Sequence, residues 1–112
     1  MSFSSGGVRA WVVQRVSAVY IALYIIFITF FFLFSPVNDF ASWKALMANP
    51  AMNMASIVFW ISVVAHIWVG GRDVIMDYIG HEALRFSALC LLGFFILFML
   101  AWALKILLSV TA

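Results

Sequence analysis

The run YIALYIIFITFFFLF, residues 20–34, carries no Asp, Glu, Lys or Arg and decides the solvent in which this chain folds. Outward from it, the charge-free stretch widens to residues 17–34, and two more such stretches follow at 51–71 and 86–104. Each comes close to the ~20 residues that carry a helix across ~30 Å of hydrocarbon. An ionised side chain at the bilayer centre costs roughly 2.5 to 3.5 kcal/mol on insertion scales, so charge-free stretches mark the spans. The whole chain agrees: of 112 residues, 68% are apolar and 9% charged, against roughly 45 to 50% and about 25% in soluble domains. A water-exposed ball of this composition has too few polar groups to cover itself. Strand alternation is absent, and backbone groups in lipid must be satisfied within the segment, so a barrel is excluded. The expected fold is an all-α integral membrane protein. It is a three-transmembrane-helix bundle with helices about 16–35, 51–76 and 86–108, within a single membrane-anchor domain over residues 1–112.

Between the first two spans, Pro36 and Pro50 bracket a polar connection in which Ser42 is placed to cap a short interfacial turn. Residues 72–85 hold five of the ten charges and form the hinge between the second and third spans. The first apolar run exceeds the roughly 7 to 15 residues of a secretory h-region, and no small-x-small site follows it, so it is expected to be retained. Arg9, Arg15, Arg72 and Arg85 fall on one side of the membrane and Lys44 and Lys105 on the other. That asymmetry favours a cytoplasmic amino terminus. The basic residues are scattered singly, which disfavours nucleic acid as a partner. Cys90 stands alone in an apolar run, so neither a disulfide framework nor an iron-sulfur cluster is available.

One side chain with coordination chemistry lies inside a span: His66, about two thirds of the way along the second helix. An imidazole at that depth needs a hydrogen-bond partner, a metal or a water-lined cavity. At 100° per residue, Phe59, Ser62, Val69, Gly70, Asp73 and Asp77 lie within about 40° of its direction, provided the helix continues past Gly71. Gly70 leaves room one turn away for a flat macrocycle; the Gly70-Gly71 pair serves close helix packing equally well. If His66 holds a haem iron on one face, the opposite axial ligand has to come from elsewhere. His81, the other histidine, is ~22 Å further along a continuous helix, whereas axial nitrogens straddling one iron lie about 4 Å apart. The chain cannot close such a site alone. The plainer reading of His66 is a packing residue with its hydrogen bond satisfied.

Asp77-Tyr78 lies ~16 Å beyond His66 on a continued helix, near headgroup level. A phenol hydroxyl there can donate to a quinone carbonyl oxygen and the adjacent carboxylate can relay a proton. Tyrosine is also an ordinary interfacial anchor, and an aspartate at that level is readily solvated. Arg15, at the entry to the first span on the same side, suits a carboxylate such as a haem propionate, or serves as a positive-inside anchor. Trp11, Trp43, Trp68 and Tyr20 read as interfacial or packing aromatics.

The segments Trp11-x-x-Gln14-Arg15-x-Ser17-Ala18, His66-x-Trp68-x-Gly70, Asp77-Tyr78 and Leu84-Arg85 together resemble the D-type hydrophobic anchor subunit of succinate dehydrogenase, respiratory Complex II. The similarity runs from Val8 to the third helix; Gly71 and Arg72-Asp73 depart from the family's pattern. The resemblance implies that His66 is an axial ligand of a haem b shared with a C-type cytochrome b anchor subunit. It implies that Tyr78, with Asp77 beside it, binds ubiquinone, and that Arg15 approaches the haem propionates. The remaining partners it implies are an iron-sulfur subunit and a flavoprotein subunit that carries the succinate chemistry. The expected location is the bacterial inner membrane, with the mitochondrial inner membrane as the lesser alternative. Two other readings stay open: a haem-free, fumarate-reductase-like quinone-binding anchor, and a purely structural small membrane subunit.

Overall fold

Pro36 ends the first helix, because its ring disfavours helical geometry at the residue before it. The computed structural model describes residues 5–111 and is helical almost throughout. Helix α1 spans Ser5–Phe34. It begins well before the expected residue 16, since Arg9 and Arg15 ride on the same helix as the apolar run. Apolarity marks the part at bilayer depth and leaves the helix end unmarked. After the break, Asp39 caps the short helix α2, Phe40–Ala48, and its carboxylate accepts the Ser42 backbone N–H at 2.8 Å and the Ser42 hydroxyl at 2.5 Å. Ser42 is thus the capped residue and Asp39 the cap, which corrects the reading from sequence.

Asn49 closes α2 and opens α3, Pro50–Tyr78; its side chain accepts from the N–H groups of Ala51 and Met52 at 3.0 and 3.2 Å. Pro50 sits in the first turn, where its missing N–H leaves nothing unsatisfied. Helix α4, Glu82–Ser109, is capped by His81, whose Nδ1 accepts from the Leu84 N–H at 3.4 Å, and Glu82 in its first turn complements the helix dipole. α3 and α4 therefore overrun the expected 51–76 and 86–108 by a few residues at the shared turn. The three long helices are each apolar enough to cross a membrane.

α3 is the central helix: α1 packs along one side, α4 along the other and α2 over its beginning, giving a bundle 49 Å long. Interhelical polar contacts tie α1 to α3, as expected where lipid removes most of the hydrophobic drive for association. The Tyr20 hydroxyl donates to the Ala55 carbonyl at 2.7 Å and the Tyr24 hydroxyl lies 2.8 Å from Ser56 Oγ. At the α2 end, Met47, Met52, Leu107 and Val110 form the buried core, with Tyr24, Trp43 and Trp60 around it. Asn53, 6% exposed, donates from its amide to the carbonyls of Met47 at 2.9 Å and Leu107 at 2.8 Å, joining α2, α3 and α4. Much of the remaining apolar surface faces outward, including Leu23, Phe30, Leu33, Phe94 and Phe98. That is the surface expected of helices solvated by lipid or by another apolar chain.

Candidate functional site

The α3 face that carries His66 is the face packed on α1. Phe59 stacks on Tyr24 with ring centroids 4.2 Å apart, and two turns later the His66 ring meets Ser17, with Nδ1 3.1 Å from Oγ. One more turn on, Gly70 faces Gln14, whose amide nitrogen lies 3.5 Å from where a Cβ on Gly70 would stand. Helical spacing correctly grouped Phe59, His66 and Gly70. It gave no means of knowing that Gln14 and Ser17 lie opposite them.

Ser17 is 6% exposed, and its hydroxyl also donates to the carbonyl oxygen of Gln14 at 3.1 Å. Gln14 Oε1 is buried and has no partner among the described residues. His66 is half-buried, and its hydrogen bonding within the described residues engages Nδ1 alone. Nε2 is left with its chemistry uncommitted.

The two glycines divide the roles that sequence left open between them. Gly71 is held against α4, where an added Cβ would come within 2.7 Å of Leu92 Cδ2, so its small size serves helix packing. Gly70 looks instead toward α1, and the room above it is shared with Gln14.

Asp77 and Tyr78 end α3 on the turn into α4. Both are exposed, Tyr78 to 83%, and Tyr78 lines neither of two cavities of about 810 and 570 Å³. Those cavities open along Tyr24 near α2, in the opposite half of the bundle. The turn is braced from α4: Arg85 Nε donates to the Ile79 carbonyl at 2.9 Å and Nη2 to the Met76 carbonyl at 3.3 Å. Met76 lies in the last turn of α3, whose carbonyls lack helical partners, and Ile79 is the residue that caps it. Sequence had marked Arg85 only as part of a motif; its bracing role needs the fold.

Arg15 is exposed, with its guanidinium 5.5 Å from the centre of the Trp11 ring, a cation-π arrangement on α1. It is two residues from Ser17 and so projects from nearly the opposite face of the helix to the one that meets His66. His81 is occupied as the α4 cap, away from His66. Among the described residues no group of three or more His, Cys, Asp or Glu is arranged to hold a metal ion. Antiparallel packing places Arg9, Arg15, Arg72 and Arg85 toward the Tyr78 end and Lys44 and Lys105 toward the α2 end.

The profile of the family described as "Succinate dehydrogenase/Fumarate reductase transmembrane subunit" matches residues 2–84. A relative in Coxiella burnetii, named "Succinate dehydrogenase hydrophobic membrane anchor subunit", is 28% identical over 109 residues, covering 93% of this chain and 90% of the relative.

Proposed function

Because this chain belongs to the succinate dehydrogenase/fumarate reductase transmembrane-subunit family and is a membrane anchor of such a complex, we propose that it shares a b-type haem with a C-type cytochrome b anchor subunit and contributes to the ubiquinone-reduction site. The observation that carries the proposal is His66: an imidazole in a membrane span with Nδ1 engaged by Ser17 and Nε2 without a partner among the described residues. That donor would suit a haem iron, with the remaining protein ligand left to a neighbouring polypeptide. His66 Nε2 would hold the iron; bound haem supplies a one-electron centre at bilayer depth.

The remaining chemistry belongs to the turn at the end of α3. Tyr78 presents its hydroxyl outward, where it donates to a quinone carbonyl oxygen, and Asp77 beside it takes up and passes a proton as that oxygen is reduced. The exposure of Tyr78 in the isolated chain fits a pocket completed by other subunits. Electrons reach the quinone from an iron-sulfur subunit, fed by a flavoprotein that oxidises succinate. Arg15 stands on the face of α1 turned away from His66, so a propionate carboxylate would have to extend past α1 to meet its guanidinium. The arginine-rich end faces the cytoplasm of a bacterial inner membrane by the positive-inside rule.

A haem-free anchor draws support from one contact: Gln14 partly fills the clearing at Gly70, and His66 then acts in packing or proton relay. The reduced-minus-oxidised optical spectrum of the complex purified through this chain separates the two. A b-type band that disappears in His66→Leu is expected. A parent complex without absorbance in the Soret region, or a His66→Leu complex that keeps it, overturns the haem assignment.

A further inference from the structure

We infer that Ser17 is a positioning residue that holds His66 in a single tautomer, with the proton on Nδ1 and the lone pair on Nε2; its consequence for the metal rests on the haem reading above. Ser17 has one hydroxyl proton to give. Its Oγ stands 3.1 Å from the Gln14 carbonyl oxygen and 3.1 Å from His66 Nδ1. A carbonyl can only accept, so the Ser17 proton lies toward Gln14 and Oγ accepts from Nδ1.

The reverse assignment, with Ser17 donating to Nδ1, turns the Gln14 contact into facing lone pairs and keeps one hydrogen bond where two are available. At lipid depth no water replaces the lost bond, so the two-bond arrangement wins. A neutral imidazole carries a single N–H. Protonation of Nδ1 therefore leaves Nε2 as the basic nitrogen, before any iron arrives. The same contact fixes the plane of the ring, because Oγ belongs to another helix. A partner on the non-ligating nitrogen also raises the basicity of the ligating one.

The test uses the full chain, 15N-labelled at histidine, in lipid bilayers without haem, carrying His81→Gln so that one imidazole remains. In alkaline buffer, solid-state 15N spectra are expected to show a protonated Nδ1 and an unprotonated Nε2 in the parent. Ser17→Ala is expected to lose that bias, and Ser17→Thr, which keeps the hydroxyl, to retain it. In the assembled complex, Ser17→Ala should lower haem affinity about 10- to 100-fold, with Ser17→Thr near the parent. A parent imidazole protonated on Nε2 overturns the inference, as does a Ser17→Ala variant with the parent's nitrogen shifts and haem affinity. A parent complex without haem overturns the haem reading instead, and the nitrogen spectra still decide the tautomer.

Discussion

Replacing Asn53 removes the joint between three helices, and its cost follows from what the amide touches. The side-chain nitrogen is 2.9 Å from the Met47 carbonyl and 2.8 Å from the Leu107 carbonyl. Both acceptors are carbonyls, so the amide orientation is dictated by the network. Both also belong to last turns, of α2 and α4, where helical partners are missing. Interhelical hydrogen bonds in membrane proteins average roughly 0.6 kcal/mol by double-mutant cycles, which sets a floor near ~1.2 kcal/mol for two. Leaving buried carbonyls without donors costs about 1 to 3 kcal/mol each. The site lies at the end of the bundle, where headgroup water relieves part of that penalty, so Asn53→Ala is expected to cost about 2 kcal/mol. Asn53→Asp has the same shape but sets a carboxylate against two carbonyl oxygens, and should cost more at neutral pH and recover partly on acidification as the protonated acid regains one donor. Unfolding in mixed dodecylmaltoside-SDS micelles, followed by circular dichroism and tryptophan emission, measures both. A loss below about 1 kcal/mol for Asn53→Ala, or an Asn53→Asp variant indistinguishable from Asn53→Ala at every pH, refutes the reasoning.

Tyr78→Phe removes one hydroxyl and keeps the ring, so quinone reduction by the assembled complex should fall roughly 2- to 10-fold, the worth of one neutral hydrogen bond, with assembly intact. Unchanged turnover contradicts the quinone assignment and favours the purely structural subunit. Arg85→Ala frees the carbonyls of Met76 and Ile79, and hydrogen exchange at residues 76–81 should quicken about tenfold while any haem spectrum stays put; equal exchange removes the bracing role. The Asp39 carboxyl is held below its ordinary 3.8 by hydrogen bonds from the Ser42 hydroxyl and then the Ser42 N–H. Its folded pKa is the lower one, so its contribution is complete above the unfolded value and disappears as pH falls from about 4 through the folded pKa. Amide exchange at Ser42 should rise in that window in the parent, and Asp39→Ala should abolish the dependence.

The sequence showed the spans because one property, absence of charge over ~20 residues, is imposed by the bilayer on each segment separately. It showed helix ends poorly for the same reason: α1 continues back to Ser5 through Arg9 and Arg15, where lipid no longer dictates composition. The short α2 escaped notice as a helix because nine residues hold no long apolar run, although Asp39 before Phe40 and the Asn49-Pro50 pair are readable caps. Within the candidate site, helical period placed Phe59, His66 and Gly70 on one face, since those residues share an element. Ser17, Gln14 and Asn53 were illegible in their roles, because each acts on a different helix and the register between helices is set by packing. Arg85 shows the middle case: close in sequence to the turn it braces, and recognisable there once α4 is seen to double back.

The bond between Ser17 and His66 joins residues 49 apart in the chain. During synthesis the first span enters the membrane before the second exists, so the imidazole has no preferred heading until both hydrophobic segments lie side by side. A product stalled after its first insertion, or threaded with the second segment reversed, lacks an oriented nitrogen to offer. If His66 holds the proposed haem, correct topology thereby becomes a prerequisite for loading, and maturation of the site doubles as a check on how the chain was inserted.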